Sequence, residues 1–293
     1  MNKNILNNAL SARMRQLTTS SKMMGYSNFF LYVFLVFNAL YLQTHAIDVV
    51  IPCHNKDADN LSLCIAGIRN NVRDVRRIIV VSDTKFTNHA EWFPEHNYPF
   101  SFQEVKKQLR QVTSGATTKL YHVGWYLQQL LKLYAPFVIP NISENVLVID
   151  ADTTFLKPVT FIDEDGYALY SVGSEYHKPY FYHAQRMLPS LKKVFPEYSG
   201  ICHHMLFQRE PLLQLFNEVE EFHRKPFWKI FCRMVDETMI NGSGASEYEI
   251  YFNYVFSHDY KIKIRKLRWC NAQRIGPEMR DEGYDYVSCH KYL

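Results

Sequence analysis

Two aspartates, Asp150 and Asp152, stand on either side of one alanine, directly after the apolar run 145–149. The run has the composition of a buried strand, so both carboxylates should leave one strand end and face the same crevice. Carboxylate oxygens are ligands that Mg²⁺ or Mn²⁺ prefers, and such a cation neutralises charge on a departing phosphate group. A D-x-D triplet alone is common in solvated turns, but its place after this strand predicts a cation site.

Polar side chains also follow two earlier apolar runs. His54 and Lys56 follow the run 47–52, and Asp83 follows the run 75–82. Ligands of open α/β sheets bind beyond the carboxyl ends of the strands, so these side chains should share one rim with the aspartate pair. If the ligand is a nucleotide, Lys56 would neutralise its phosphate, Asp83 would contact its base or ribose, and His54 would lie beside them.

Glu247 is the candidate general base. It follows the loop-like sequence Asn-Gly-Ser-Gly-Ala at 241–245, as expected for a residue that contacts a substrate. Ser246 and Glu249 have the spacing of a capping box, which gives Glu249 a structural role and leaves Glu247 to take a proton from a hydroxyl. A helix-end glutamate without a catalytic role is the plain alternative, and the acidic pair 236–237 is the competing candidate.

A helix predicted over 117–134 should run antiparallel to the strands, so its first half should lie nearest the strand ends. This orientation favours Lys119 and Trp125 as ligand-binding residues over Lys132. A core position for Trp125 remains the alternative interpretation.

His203 and His204 begin a predicted strand. Neighbouring side chains on a strand point to opposite faces, so at most one of the two should line the site while the other packs. The sequence leaves open which one does so.

Apolar runs alternate with helical patterns along most of the chain. The runs 47–52 and 75–82 predict buried strands, and the pattern 57–72 between them predicts a helix, which together form a βαβ unit. The alternation predicts an α/β domain with a mostly parallel central sheet flanked by helices. Further helices are expected near 102–111, 210–223, 226–240 and 247–257, and a last strand, 261–264, should lead into a loop-rich tail.

Six blocks, in order, resemble a family of glycosyltransferases of the GT-A type (DUF6492-like) that carry a D-x-D motif. The blocks are IDVVIPCHNKD, GWYLQQLLKL, VLVIDADTTFLKPV, GICHHMLF, SEYEIYFNY and the terminal SCHKY. The resemblance covers about residues 46–293 and implies the GT-A fold, a nucleotide-diphosphate-sugar donor and a glycan or other hydroxyl acceptor. It does not specify the sugar.

The resemblance also extends the list of site residues. In metal-dependent transferases of this general fold a late histidine completes the metal shell, which makes His290 the candidate third ligand beside Asp150 and Asp152, with Mn²⁺ or Mg²⁺ as cofactor. Lys291, its neighbour, would reach the diphosphate. Glu247 acting as base would make the transfer inverting.

The first 45 residues differ from the rest in composition. The net charge of +4 comes from four basic residues in a tail, 1–25, that has no acidic residue, and the remainder is balanced, which argues against nucleic-acid binding. The apolar segment 26–43 follows and predicts a signal-anchor with a cytoplasmic N-terminus, placing the catalytic domain, 46–293, in a Golgi- or ER-like lumen. A cleaved signal peptide or a buried helix, giving a secreted or soluble protein, are the alternatives.

Three other functions compete with sugar transfer. Nucleotidyltransferases of similar fold carry a glycine-rich loop after the first strand, and 52–56 contains no glycine. A non-catalytic, membrane-tethered carbohydrate-binding protein would not need the D-x-D pair together with Glu247 and His290. A zinc protein built on the neighbouring Cys and His residues fits the usual ligand spacing poorly.

Overall fold

A computed structural model describes residues 45–113, 119–276 and 278–290. A five-stranded sheet in the order β3-β2-β1-β4-β7 forms its centre. Three parallel pairings join β3, β2, β1 and β4, and β7 runs antiparallel to β4 at the edge. All residues of β1 and β4 are buried, as the apolar runs predict. The strands are β1 Ile47–Pro52, β2 Val75–Ser82, β3 Glu91–Pro94, β4 Asn145–Ile149 and β7 His204–Gln208.

Helices cover the sheet and contribute many of the buried apolar side chains outside it. The longest central one, α3, is apolar on nearly every face, so it is buried along most of its length. The predicted α/β domain with a mostly parallel central sheet flanked by helices is confirmed. The helices are α1 Ala58–Asn71, α2 Phe102–Arg110, α3 Val123–Val138, α4 Lys178–Met187, α5 Arg209–His223, α6 Phe227–Arg233, α7 Glu247–Phe256 and α8 Glu278–Asp281.

A second sheet of three strands, ordered β5-β10-β9, stands beside the carboxyl end of β4. Its strands are β5 Thr153–Phe155, β9 Trp269–Ala272 and β10 Tyr286–Cys289, and β6 Ala168–Ser171 pairs separately with β8 Ile262–Arg265. Because β10 pairs antiparallel with β5, β10 lies against the residues that follow the aspartate pair.

Several predicted boundaries are wrong. The helix predicted over 117–134 begins at Val123 and continues to Val138, so Lys119 lies before it. The helix predicted over 226–240 ends at Arg233 and is followed by a separate 3₁₀ turn, Glu237–Met239. The tail predicted to be loop-rich contains β9 and β10. These short strands form through long-range pairing, which local sequence patterns do not predict.

The chain divides into two units, Met1–His45 and Ala46–Leu293. The apolar segment 26–43 and the basic tail before it lie outside the described residues. No helix within the described ranges is both long and apolar enough to cross a bilayer.

Candidate functional site

The ammonium group of Lys132 lies between two carboxylates beyond the end of β4. Its Nζ donates to Oδ1 of Asp150 at 2.5 Å and to Oε1 of Glu247 at 2.6 Å. It also lies 3.0 Å from the hydroxyl oxygen of Tyr248. Lys132 is only 3% exposed and Glu247 equally so, which makes the cluster part of the interior. Residues from α3, β4 and α7 therefore meet at one point.

Charge balance within this cluster decides which groups stay ionised. Burial lowers the pKa of Lys132, but the carboxylates of Asp150 and Glu247 outweigh burial and raise it above the ordinary value. Burial likewise works against the ionised form of Asp150, but Lys132 and His203 hold the pKa of its carboxyl well below the usual range. For Glu247, burial prevails over the attraction of Lys132, so its pKa is raised.

Helix α3 supplies two of these contacts from one face. Gln129 accepts a hydrogen bond from the backbone N–H of Glu247 at 3.1 Å, and Lys132 follows one turn later. The sequence interpretation that placed Lys132 farther from the site than Lys119 is therefore wrong. Its physical reason is the start of the helix at Val123, which places Lys132 near the helix middle and opposite the end of β4.

Asp152 is held from the C-terminal side by β10. Its backbone carbonyl accepts from Cys289 N at 2.8 Å, and its Oδ1 accepts from Ser288 Oγ at 3.1 Å. Thr153 Oγ1 lies 3.2 Å from the same Ser288 hydroxyl. This pairing brings His290, the next residue of the chain, beside the aspartate pair.

His203 reaches the site through an unusual backbone conformation. Its φ is +60°, in the left-handed region that a residue with a side chain rarely adopts, and its carbonyl accepts from Asp150 N at 3.0 Å. The ring Nδ1 then lies 3.4 Å from Oδ2 of Asp150. The rings of His203 and His290 are 5.1 Å apart between centroids.

This set of donors matches a divalent cation in charge and in chemistry. Asp150 and Glu247 share the ammonium group of Lys132. Burial together with repulsion from Asp150 raises the pKa of Asp152. The Nε2 atoms of His203 and His290 are buried and have no hydrogen-bond partner among the residues that the structure describes. Carboxylate oxygens and imidazole nitrogens both bind Mn²⁺, so the residues fit the predicted cofactor.

As they lie, however, no group of three or more His, Cys, Asp or Glu side chains in the described ranges is arranged to hold a metal ion. The neighbours of Asp150 supply the physical reason. Lys132 donates to one of its carboxylate oxygens and His203 faces the other. Asp150, Asp152 and His290 as metal ligands therefore remain a proposal.

Glu249 has a structural position. Ser246 Oγ accepts from Glu249 N at 3.2 Å, which caps α7, but the Glu249 carboxylate does not close the predicted capping box. It binds Ser199 Oγ and accepts from Asn253 Nδ2 at 2.8 Å instead. Two glutamates two residues apart thus face different neighbours, and Glu247 is the one that points towards Asp150.

His204 packs in the core. It is 1% exposed, its Nε2 lies 3.1 Å from Ser171 Oγ, and its ring contacts Phe155 and Tyr286. Burial lowers its pKa well below the ordinary value, so the ring is neutral. The structure brings His203 to Asp150 and leaves His204 away from it.

The predicted donor-binding residues at the first two strand ends are exposed. His54 Nδ1 accepts from Lys56 N at 3.3 Å, and Lys56 lies 3.9 Å from the Asp57 carboxylate. Asp83 accepts from the backbone of Thr84 at 2.8 Å. These side chains lie where β1 and β2 end, and they make no described contact with the Lys132 cluster.

The other predicted donor-binding residues lie elsewhere. Lys119 is exposed, and its carbonyl accepts from Asn241 Nδ2 at 2.7 Å. Trp125 donates through Nε1 to Ala245 O at 3.4 Å. Both therefore border the loop 241–246. Lys291 lies outside the described residues.

Comparison with known proteins gives a family and one distant likeness. A family described as a family of unknown function (DUF6492) matches residues 39–277. No curated protein matches the chain. The chain is similar to the apo form of mouse xyloside xylosyltransferase 1, at a TM-score of 0.42 and 10% identity, over 83% of this chain and 97% of that one. A likeness of this size carries no conclusion about activity. The family match, over residues 39–277, spans most of this chain, so the chain belongs to the DUF6492 family of unknown function.

Proposed function

We propose that this protein is a metal-dependent glycosyltransferase of the GT-A type, which moves a sugar from a nucleotide-diphosphate-sugar to an acceptor hydroxyl. One observation carries the proposal. Asp150 and Asp152 leave the buried strand β4 together and meet Glu247, Lys132, His203 and His290, with two imidazole nitrogens left unpaired. The cluster supplies acidic oxygens, a proton acceptor and unused metal-ligating atoms at the strand ends where α/β sheets bind ligands.

Asp150, Asp152 and His290 would hold the cation, and the donor would extend from there towards the ends of β1 and β2. A bound Mn²⁺ or Mg²⁺ neutralises the charge that develops on the leaving nucleoside diphosphate. Lys56 and His54 would face the phosphates, and Asp83 would face the base or ribose. Their exposure leaves them accessible to a donor that enters from solvent.

Glu247 would accept the proton of the acceptor hydroxyl while the oxygen of that hydroxyl attacks the anomeric carbon of the donor sugar. The bond from that carbon to the diphosphate oxygen breaks with inversion, and the nucleoside diphosphate leaves. Lys132 favours the ionised form of Glu247, which a base requires. Only 4% of the Glu247 side chain is exposed, so the mechanism requires that substrate binding opens access to it.

The decisive experiment is a panel of nucleotide-sugars with Mn²⁺, scored by release of nucleoside diphosphate, for the wild-type protein and Asp152→Asn. We expect release that depends on the cation and a loss of at least about 100-fold in the variant. The melting temperature should stay within a few degrees, because Asp152 is partly exposed and its backbone contact with β10 is retained.

Three results would overturn the assignment. Equal activity in Asp152→Asn would remove the metal role of the aspartate pair. Release of pyrophosphate from a nucleoside triphosphate and sugar phosphate, without turnover of any nucleotide-sugar, would indicate a nucleotidyltransferase. A protein that turns over neither substrate class but binds glycans would be a carbohydrate-binding protein.

A further inference from the structure

Two exposed aromatic rings border the loop that leads into Glu247. Tyr121 is 72% exposed and Trp125 is 39% exposed, although most large apolar side chains of this chain are buried. Within the described residues, neither ring stacks on another aromatic ring or on a cationic group. An exposed aromatic ring offers a flat apolar surface on which a ligand ring can pack.

Hydrogen bonds tie both residues to the loop 241–246. Tyr121 N donates to Asn241 Oδ1 at 2.7 Å, and Trp125 Nε1 donates to Ala245 O at 3.4 Å. From the other side, Tyr126 donates through its hydroxyl to Met239 O at 3.1 Å. The indole is therefore held by its edge, and part of the residue stays exposed to solvent.

Gly124, which precedes Trp125, is exposed. It lies between the two rings in sequence, and a Cβ built there would meet no heavy atom within 4 Å. A ligand lying on Trp125 would therefore meet no side chain from this position.

Helix α3 connects the indole with the acidic cluster. Trp125, Gln129 and Lys132 have the i, i+4, i+7 spacing of one helix face, and the last two contact Glu247 directly. Along the axis, Trp125 lies about 6 Å before Gln129 and about 10 Å before Lys132. A pyranose ring is comparable in size with the shorter of these distances, so a sugar on the indole would reach the level of Gln129, which contacts Glu247.

We propose that Trp125, with Tyr121 beside it, is the stacking platform for a pyranose ring of a carbohydrate acceptor. This inference rests on the proposed function and adds to it the chemical class of the acceptor. The C–H face of a pyranose packs on an aromatic ring while its hydroxyls stay in water or bind polar groups, which suits an exposed ring fixed at its edge. Trp125 then acts in acceptor binding, whereas the sequence predicts a donor-binding role for it, and the experiment below distinguishes the two roles.

The site can be tested without donor or turnover. Saturation-transfer NMR with methyl α- and β-pyranosides of glucose, galactose, mannose and xylose should show contacts to ring C–H protons of at least one pyranoside. Trp125→Ala should weaken that binding by about fivefold or more, and Trp125→Phe, which keeps a ring, should retain part of it. Phe222→Ala removes an aromatic side chain that is 58% exposed on α5 and serves as the matched control with unchanged binding.

Three results would overturn the inference: no pyranoside binds the wild-type protein, Trp125→Ala binds as the wild type does, or Trp125→Ala loses affinity for nucleoside diphosphates instead of pyranosides. A loss of affinity for nucleoside diphosphates would assign Trp125 to the donor site. Release of nucleoside diphosphate from nucleotide-sugars, measured in parallel, separates the two proposals. If the wild-type protein turns over a nucleotide-sugar but Trp125→Ala binds pyranosides as the wild type does, only the stacking platform is refuted. If pyranoside binding depends on Trp125 but no nucleotide-sugar is turned over, only the transferase proposal is refuted.

Discussion

Replacing Lys132 by methionine removes the ammonium group that lies between Asp150 and Glu247 and keeps most of the aliphatic volume of the side chain. In the wild-type protein its Nζ lies 2.5 Å from Asp150 and 2.6 Å from Glu247, with 4% of the side chain exposed. At an effective dielectric constant near 20, each contact is worth about 6 kcal/mol before desolvation is subtracted. Removing one partner of a buried ion pair has a net cost of about 3 to 5 kcal/mol, and we expect a loss in this range for Lys132→Met at neutral pH.

The loss should shrink in acid, which distinguishes it from a packing defect. Without Lys132, burial and the nearby carboxylate of Asp150 are left to raise the pKa of Glu247 further in the folded state. A group with a raised pKa in the folded state stabilises the fold below its unfolded pKa, and that contribution is lost as pH rises through the folded pKa. The difference in the free energy of unfolding between the wild type and the variant should therefore be smaller near pH 5 than near pH 8.

Urea unfolding of the full chain, followed by far-UV circular dichroism from pH 5 to pH 8, measures both effects. Lys107→Met, which removes an exposed lysine from α2, should stay within about 0.5 kcal/mol of the wild type. The double variant Lys132→Met, Glu247→Gln should recover at least about 1.5 kcal/mol of the loss, because it removes one unpaired carboxylate. A loss below about 1 kcal/mol, equal at all pH values, would refute the reasoning.

Two further predictions concern separate residues. Glu247→Gln should slow sugar transfer by about 100-fold or more while donor binding changes little, whereas Glu249→Gln should mainly lower stability, by about 1 to 3 kcal/mol, because its buried bonds to Ser199 and Asn253 are altered. Kinetics paired with urea unfolding separates the two outcomes, and slow transfer in Glu249→Gln alone would reverse the roles. Burial lowers the pKa of His183 from 6.5 to about 4, so the unfolded chain binds more protons between these values. The free energy of unfolding should consequently fall by about 2 kcal/mol from pH 7 to pH 5, and His183→Gln should lose that part of the pH dependence; an unchanged profile in the variant would contradict it.

The prediction about the helix near the site illustrates a limit of pattern reading. Leucines at helical spacing identify a helix that covers the sheet, and it exists as Val123–Val138. Periodicity does not specify where such a helix begins, so Lys132 was placed too far from Asp150. A lysine in a predominantly apolar helix is the available signal, because a buried ammonium needs carboxylates around it.

The two glutamates of α7 show the reverse case. Their spacing from Ser246 identified the helix start, and Ser246 does cap α7. The direction in which each carboxylate points depends on what packs against the helix, namely α3 on the side of Glu247 and Ser199 on the side of Glu249. Local spacing carries no information about either neighbour.

The sequence by itself determined the alternation of buried strands and helices, and with it a mostly parallel sheet whose strand ends carry Asp150 and Asp152. These features follow from local patterns of apolar residues, whose burial is favourable wherever the chain folds. Only the tertiary structure decided that Lys132 lies between Asp150 and Glu247, and that β10 brings His290 beside Asp152. Both depend on contacts more than 100 residues apart along the chain, which form because a buried charge or strand edge requires a partner and the fold supplies it.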